Sequence, residues 1–261
     1  MTRLFGIALV ATMTAAAGNL CAQDFEWSGR VGGGEMLEVQ GVNGEIRAMA
    51  ARGNSIEVTA NVFEHRRGYA EDIEFQVVEH SGGVTICAIY PTPRRARRDN
   101  ECLPNGRTRN STQDIDVEVE FTVRVPAGVD FVGRTVNGDV EALSLDGNVE
   151  AFTVNGDIEI ETTGYAEAKT VNGSIDAVVG RDDWRGSLAF ETVNGSITLE
   201  LPAGIGADVS ARTVNGAIET DFPLTVRGRF SHRSLSGSIG GGGEQIDLNT
   251  VNGSVTLRRG R

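Results

Sequence analysis

One block recurs along the second half of this chain: Thr-Val-Asn-Gly, then a small or acidic residue, then a β-branched one. It reads RTVNGDVEA from Arg134, FTVNGDIEI from Phe152, KTVNGSIDA from Lys169 and ETVNGSITL from Glu191. It continues as RTVNGAIET from Arg212, RSLSGSIGG from Arg233 and NTVNGSVTL from Asn249, and an early, isolated copy, GVNGEI, spans Gly41–Ile46. The asparagine or its equivalent falls at 137, 155, 172, 194, 215, 236 and 252, so the steps are 18, 17, 22, 21, 21 and 16 residues. Looser half-repeats such as LSLDGNVEA, from Leu143, lie between the copies. Self-similarity at a period of about 20 residues is the signature of a repeat architecture.

Thr-Val-Asn-Gly-x-Ile is strand, turn, strand. Valine and isoleucine suit a pleated, half-buried surface, and Asn-Gly supplies two adjacent residues that tolerate positive φ. Antiparallel hairpins closed into a sandwich or barrel would satisfy this pattern, and so would a parallel β-solenoid. Sameness favours the solenoid, because like residues stack rung over rung at about 4.8 Å. Val136, Val154, Val171, Val193, Val214, Leu235 and Val251 are expected to form one inward ladder. Val140, Ile158, Ile175, Ile197, Ile218, Ile239 and Val255 are expected to form another. Asn137, Asn155, Asn172, Asn194, Asn215 and Asn252 would stack their amides inward as a structural ladder, with Ser236 the one departure. Two places before the asparagine, Thr135, Thr153, Thr170, Thr192, Thr213, Ser234 and Thr250 add a hydroxyl ladder. About seven such rungs make a rod of about 30 Å.

Residues 23–130 carry longer alternating runs. From Ile115 to Val125 the apolar residues take every second place, and shorter runs occur at Ile73–Val77 and Val84–Ile89. These are strands by pattern, either paired antiparallel or forming wide first coils. Glycine is 34 of 261 residues while proline is only 6, which suits an ordered chain rich in tight turns. No helical periodicity appears after residue 22. The expected organisation is a signal peptide over 1–22, an N-terminal β-strand region over 23–130, and solenoid repeats over 131–261.

The signal peptide rests on Arg3, the apolar stretch Leu4–Ala17 and the small-residue site Leu20-Cys21-Ala22, which would leave Gln23 as the new N-terminus. Lipidation at Cys21 is the alternative, but Gly18 and Leu20 stand in reverse order for a lipobox. The protein is therefore expected to be exported, to the periplasm, cell surface or medium, with no transmembrane segment in the mature chain. Two cysteines then remain, Cys87 and Cys102, and an even pair in an exported chain reads as a disulfide. The loop it closes carries Arg94, Arg95, Arg97 and Arg98, with Arg107 and Arg109 beyond it. That cluster is a cationic patch on a chain of net charge −12, and a candidate contact for an anionic partner. The net charge itself argues against nucleic acid.

No catalytic constellation emerges. His65, His80 and His232 lie far apart, and no nucleophile elbow, phosphate loop or zinc motif is present. No cofactor or metal is expected. The competing class is a carbohydrate-active β-helix enzyme, a polysaccharide lyase or hydrolase. Its only visible support is Asp139 and Asp157, which share a repeat position on successive rungs and would sit about 5 Å apart. Such a pair also suits a hard cation, although serine or alanine takes that position in later copies. At the C-terminus, Arg258, Arg259 and Arg261 are expected to guard an open last coil against end-to-end stacking.

The recurring T-V-N-G-D/S-I blocks, with Val123–Gly128 (VRVPAG) just before them, resemble the DUF4097 family, described as candidate adhesins. The resemblance covers roughly residues 35–258. It implies a right-handed parallel β-helix in an extracytoplasmic bacterial protein, and it brings no set of functional residues with it. The resulting expectation is an all-β protein: a right-handed parallel β-solenoid preceded by longer N-terminal strands. Its expected role is non-enzymatic, as an adhesin-like binding or scaffold protein of the envelope whose partner is a surface protein or glycan.

Overall fold

The computed structural model describes residues 25–181, 184, 186–226 and 231–260. The expected signal peptide, Cys21, Gln23 and Arg261 lie outside them. The described residues form 21 strands and one short 3-10 turn, Ala70–Asp72. The first seven strands are β1 (Phe25–Gly29), β2 (Met36–Gln40), β3 (Ile46–Ala50), β4 (Ile56–Glu64), β5 (Glu74–His80), β6 (Gly83–Ile89) and β7 (Val117–Val125). Next come β8 (Asp130–Arg134), β9 (Val140–Leu145), β10 (Val149–Phe152), β11 (Ile158–Thr162), β12 (Ala166–Lys169), β13 (Ile175–Val179) and β14 (Leu188–Glu191). The last seven are β15 (Ile197–Leu201), β16 (Ala207–Arg212), β17 (Ile218–Thr220), β18 (Leu224–Val226), β19 (Ser234–Ile239), β20 (Glu244–Asn249) and β21 (Val255–Arg259).

The strands build two sheets, ordered β1-β4-β7-β3-β9-β11-β13-β15-β21-β17 and β18-β19-β16-β20-β14-β12-β10-β8-β2-β6-β5. A coil is one strand of the second sheet, a Val-Asn-Gly corner, and one strand of the first. Coils stack in parallel: Ile46 pairs Val140, Val140 pairs Ile158, Ile158 pairs Ile175, and Ile175 pairs Ile197. These residues are all within 1% of full burial, so the isoleucine ladder lies inside. Strands of the central coils alternate, and β11 reads buried, exposed, buried, exposed, buried, whereas β6, covered on both faces, is buried throughout. One core runs the length of the stack, from Val62 and Phe121 at one end to Leu235 at the other.

Stacking order departs from chain order in three places. The early GVNGEI copy is not isolated: β2 and β3 pair directly with β8 and β9, making a full coil on the same stack. The copy at Arg233 is not a coil. Its strand, β19, runs antiparallel to β16, and Ser236 faces Ser210 across the sheet, outside the asparagine column. The last copy is not the end of the rod, because β20 lies between β14 and β16 and β21 lies between β15 and β17. The chain lays down the outermost coil first, covers its second-sheet strand with the antiparallel pair β18 and β19, and then returns to fill the gap.

That return removes the basis for an edge guarded by the C-terminal arginines, since β21 has a partner on each side. At the opposite end both sequence alternatives occur together. Strands β6 and β7 continue the parallel stack, while β5, β4 and β1 add to it antiparallel.

Candidate functional site

At each corner the repeated residues divide their work. The threonine is the buried one, only 4–6% exposed in Thr135, Thr153, Thr170, Thr192, Thr213 and Thr250. Its hydroxyl donates to the glycine carbonyl of the neighbouring coil, as Thr153 Oγ1 does to Gly138 O at 2.9 Å and Thr192 Oγ1 to Gly173 O at 2.8 Å. A buried hydroxyl thus has its partner in every rung. The glycine is required by close approach: a Cβ on Gly173 would meet Gly156 O at 1.9 Å. None of the motif asparagines has positive φ, so Asn-Gly serves backbone stacking here and not a hairpin turn.

The valines, expected inside, lie outside. Val136, Val154, Val171, Val193 and Val251 are 38–40% exposed and Val214 is 54% exposed. With threonine turned to the core, the next residue of an extended corner points to solvent. The asparagines lie outside as well. They still form a ladder, each amide donating to the next: Asn215 to Asn252, Asn252 to Asn194, Asn194 to Asn172, Asn172 to Asn155, Asn155 to Asn137 and Asn137 to Asn43. Every Nδ2–Oδ1 distance is 2.7 or 2.8 Å. Asn252 is an interior member of this column, and Asn215 and Asn43 are its ends. The result is a straight face of apolar side chains beside amides linked to one another by one hydrogen bond per step.

Asp139 and Asp157 belong to the same corner and are engaged by it. Asp157 N donates to Asp139 Oδ1 at 2.7 Å, and Ser174 N donates to Asp157 Oδ1 at 2.7 Å. The serines continue the pattern: Ser196 N reaches Ser174 Oγ, Ser254 N reaches Ser196 Oγ, and Ala217 N reaches Ser254 Oγ. The position requires an acceptor for the coil above it. Alanine occupies it only at residue 217, in the outermost coil. Among the described residues no three His, Cys, Asp or Glu side chains gather into a metal-holding group. The opposite corner forms an open cleft of about 720 Å3 lined by Asp130, Asp146, Glu150, Thr163, Tyr165 and Trp184 among others. Its acids are engaged too: Asn148 donates twice to Asp130, and Thr163 Oγ1 donates to Asp146. Burial, followed by the nearby Glu167 charge, raises the Glu150 pKa above its ordinary value.

The second feature lies on the outer face of the second sheet. Cys87 and Cys102 are joined by a disulfide. The segment beyond is pinned by Glu38, which is fully buried on β2. Its carboxylate accepts from Asn105 N at 2.8 Å, Gly106 N at 2.8 Å, Thr85 Oγ1 at 3.0 Å and Arg134 Nε at 3.1 Å. A buried charge with this many donors is compensated. Arg134 also lies over the Phe152 ring, 3.9 Å from its centroid. Two asparagines clamp the base of the loop. Asn110 donates to Ala88 O and accepts from Tyr90 N, while Asn100 donates to Tyr90 O and Ser111 O. The buried Tyr90 hydroxyl donates to Val117 O at 2.9 Å, and burial pushes its pKa up to about 12.

From this base a turn closed by Ala96 N to Pro93 O presents Arg94, Arg95, Arg97 and Arg98, all exposed. None of the four forms an ion pair among the described residues. Arg109, by contrast, pairs with Glu101. The patch was visible in the sequence. Glu38, Asn100 and Asn110, which hold it, were not singled out: a lone glutamate on a strand and two loop asparagines have no spacing that announces them.

Among known proteins, residues 131–258 match the sequence profile of the Toastrack DUF4097 family. A proposed cell adhesion protein from Clostridium sporogenes is similar in structure, at 12% identity and a TM-score of 0.47, over 91% of this chain and 100% of that one. A proposed adhesin from Bacteroides fragilis has 13% identity and a TM-score of 0.30, over 91% and 97% of the two chains. No curated protein matches the sequence.

Proposed function

From the premise that residues 131–258 belong to the Toastrack DUF4097 family, we propose that the protein is an exported, non-enzymatic binding or scaffold module of the bacterial envelope. It acts in the periplasm, at the cell surface or in the medium, on a surface protein or glycan. The reading carries with it a right-handed winding and about seven rungs. It also takes residues 1–22 as a signal peptide, 23–130 as an N-terminal strand region, and 131–261 as the repeats.

The observation that carries it is the corner face. Exposed surface positions normally vary, and the neighbours of this corner do: the residue before the threonine is Arg134, Phe152, Lys169, Glu191, Arg212 or Asn249. The valine does not vary from rung to rung, although in the six coils from Val136 onward it is more than a third exposed. A long apolar stripe beside amides bonded to one another is a surface suited to lying against another surface. No helix among the described residues is long and apolar enough to cross a membrane.

The test is retention of the purified protein on isolated cell envelopes. Changing Val154, Val171 and Val193 together to Ser is expected to reduce retention about tenfold, while the melting temperature moves by only a few degrees, as for exposed sites. Equal retention of the triple variant, or no retention of the parent protein, would overturn the reading.

A further inference from the structure

We propose that the turn bearing Arg94, Arg95, Arg97 and Arg98 binds an anionic glycan segment, its sulfate, phosphate or carboxylate groups on the guanidinium forks and a sugar ring in the adjoining cleft. This rests on the reading of the protein as a binding module and names the class of one partner.

The first support is construction. A disulfide, the buried Glu38 carboxylate and the Asn100 and Asn110 clamps fix a loop whose tip, residues 94–98, is exposed. Rigid presentation lowers the ordering cost of binding. The second is charge. On a chain of net charge −12, four exposed cations within five residues form no ion pair among the described residues. Solubility does not require them there, because the net charge already lies far from zero. All four are arginine in a protein with a single lysine, Lys169, and arginine is the side chain that grips oxyanions with paired donors.

The third support is shape. A shallow cleft of about 500 Å3 runs beside the turn, lined by Pro91, Pro93, Arg94, Gln113 and Ile115 among others. Asp114 also lines it, with its charge paired to Arg67 at 3.3 Å. Proline and isoleucine faces beside a glutamine amide suit the mixed surface of a pyranose ring. A bilayer is the poorer fit. The turn has no aromatic or long aliphatic side chain between its arginines, only Ala96, and anionic head groups would repel the acidic body.

The experiment uses the full, oxidised protein and three probes: labelled dextran sulfate oligomers, neutral dextran of equal length, and phosphatidylglycerol vesicles. Dextran sulfate is expected to bind and the other two are not. Changing Arg94, Arg95, Arg97 and Arg98 to Ser should weaken dextran sulfate binding at least about tenfold. It should also reduce the slope of log affinity against log salt by about three, as for the loss of four charge contacts. Changing four other exposed arginines, Arg30, Arg52, Arg66 and Arg124, should leave binding within about twofold by the same count of contacts. Equal binding by the two quadruple variants overturns the proposal, as does a preference for vesicles, which would make the turn a membrane contact. Envelope retention is measured alongside. Retention of the parent protein with no dextran sulfate binding removes this inference and leaves the broader reading intact.

Discussion

The corner column and the arginine-bearing loop solve the same problem, satisfying polar groups near the surface, in opposite ways. In the column each side chain's partner is its own copy one coil away: Asn172 bonds Asn155 and Asn194, and Ser174 takes the amide of Ser196. In the loop every partner is singular: Glu38 with Asn105 and Gly106, Asn110 with Ala88, Asn100 with Ser111. Repetition spreads a modest stabilisation over many equivalent bonds. The loop concentrates it in a few side chains, one of them a buried charge. A change in the column should therefore cost little and in proportion to the neighbours lost, whereas a change at the loop's anchor should cost much at once.

The largest expected effect is accordingly at Glu38. Replacing it with Ala leaves the Asn105 and Gly106 amides and the Arg134 guanidinium without their buried acceptor. The expected loss is about 3–5 kcal/mol, the usual result of removing one member of a buried ionic cluster. The melting temperature should fall by about 10 °C. Hydrogen exchange at Asn105 and Gly106 should rise more than at Ile175. A loss no greater than that of a column asparagine would show that the loop is not anchored through this carboxylate.

The same contrast explains what the sequence revealed. The repeat showed the parallel stacking, the isoleucine ladder and the amide column, because a period is visible wherever like residues must meet. It did not show which side of the corner faces water. Alternation assigns a face along a straight strand, but at a bend two successive residues, such as Val136 and Asn137, both turn outward. Nor did chain order show stacking order. The block at Arg233 keeps the spacing yet lies antiparallel, and Asn252 is last in the chain yet interior in the rod. One signal was available: Ala217 stands where every other corner keeps an acceptor, and it marks the coil beyond which no further asparagine corner stacks among the described residues. The disulfide and the arginines were legible from composition and from the expected export. The partners that hold the loop were not, since each is unique.

The next effect in size sharpens the column half of the comparison. Asn172→Ala and Asn252→Ala each remove two amide bonds, and Asn215→Ala removes one. At about 1 kcal/mol or less per exposed bond, the first two should cost about 1–2 kcal/mol and the third about half as much. Chain order alone would have made Asn252 the cheap position. Thermal or denaturant melts of the three variants decide: equal losses at Asn172 and Asn252, both above Asn215, fit the inserted coil. A loss at Asn252 as small as that at Asn215 would contradict it.

The smallest effect is at Glu150, which lies on the outer face between column-like and loop-like surroundings. It faces Glu167 on the next strand and Arg134 Nη2 at 3.6 Å, while Arg134 keeps its closer contact with Glu38. Burial and then the Glu167 charge raise its pKa above the usual 4.5, so the folded state holds this proton to a higher pH than the unfolded chain does. A raised carboxylate contributes stability that is present below the unfolded pKa and lost as pH rises through the folded one. Near neutrality the ionised side chain is therefore a liability. Glu150→Gln should stabilise the protein there by less than about 1 kcal/mol, because the site is partly open to solvent. The advantage should shrink as pH falls and vanish below 4.5, where both proteins are neutral at this position. Denaturant melts of the pair at neutral and acid pH measure it. A Gln variant less stable than the parent at neutral pH would mean that the Arg134 attraction outweighs burial and the Glu167 repulsion, and that this face is held by ion pairing after all.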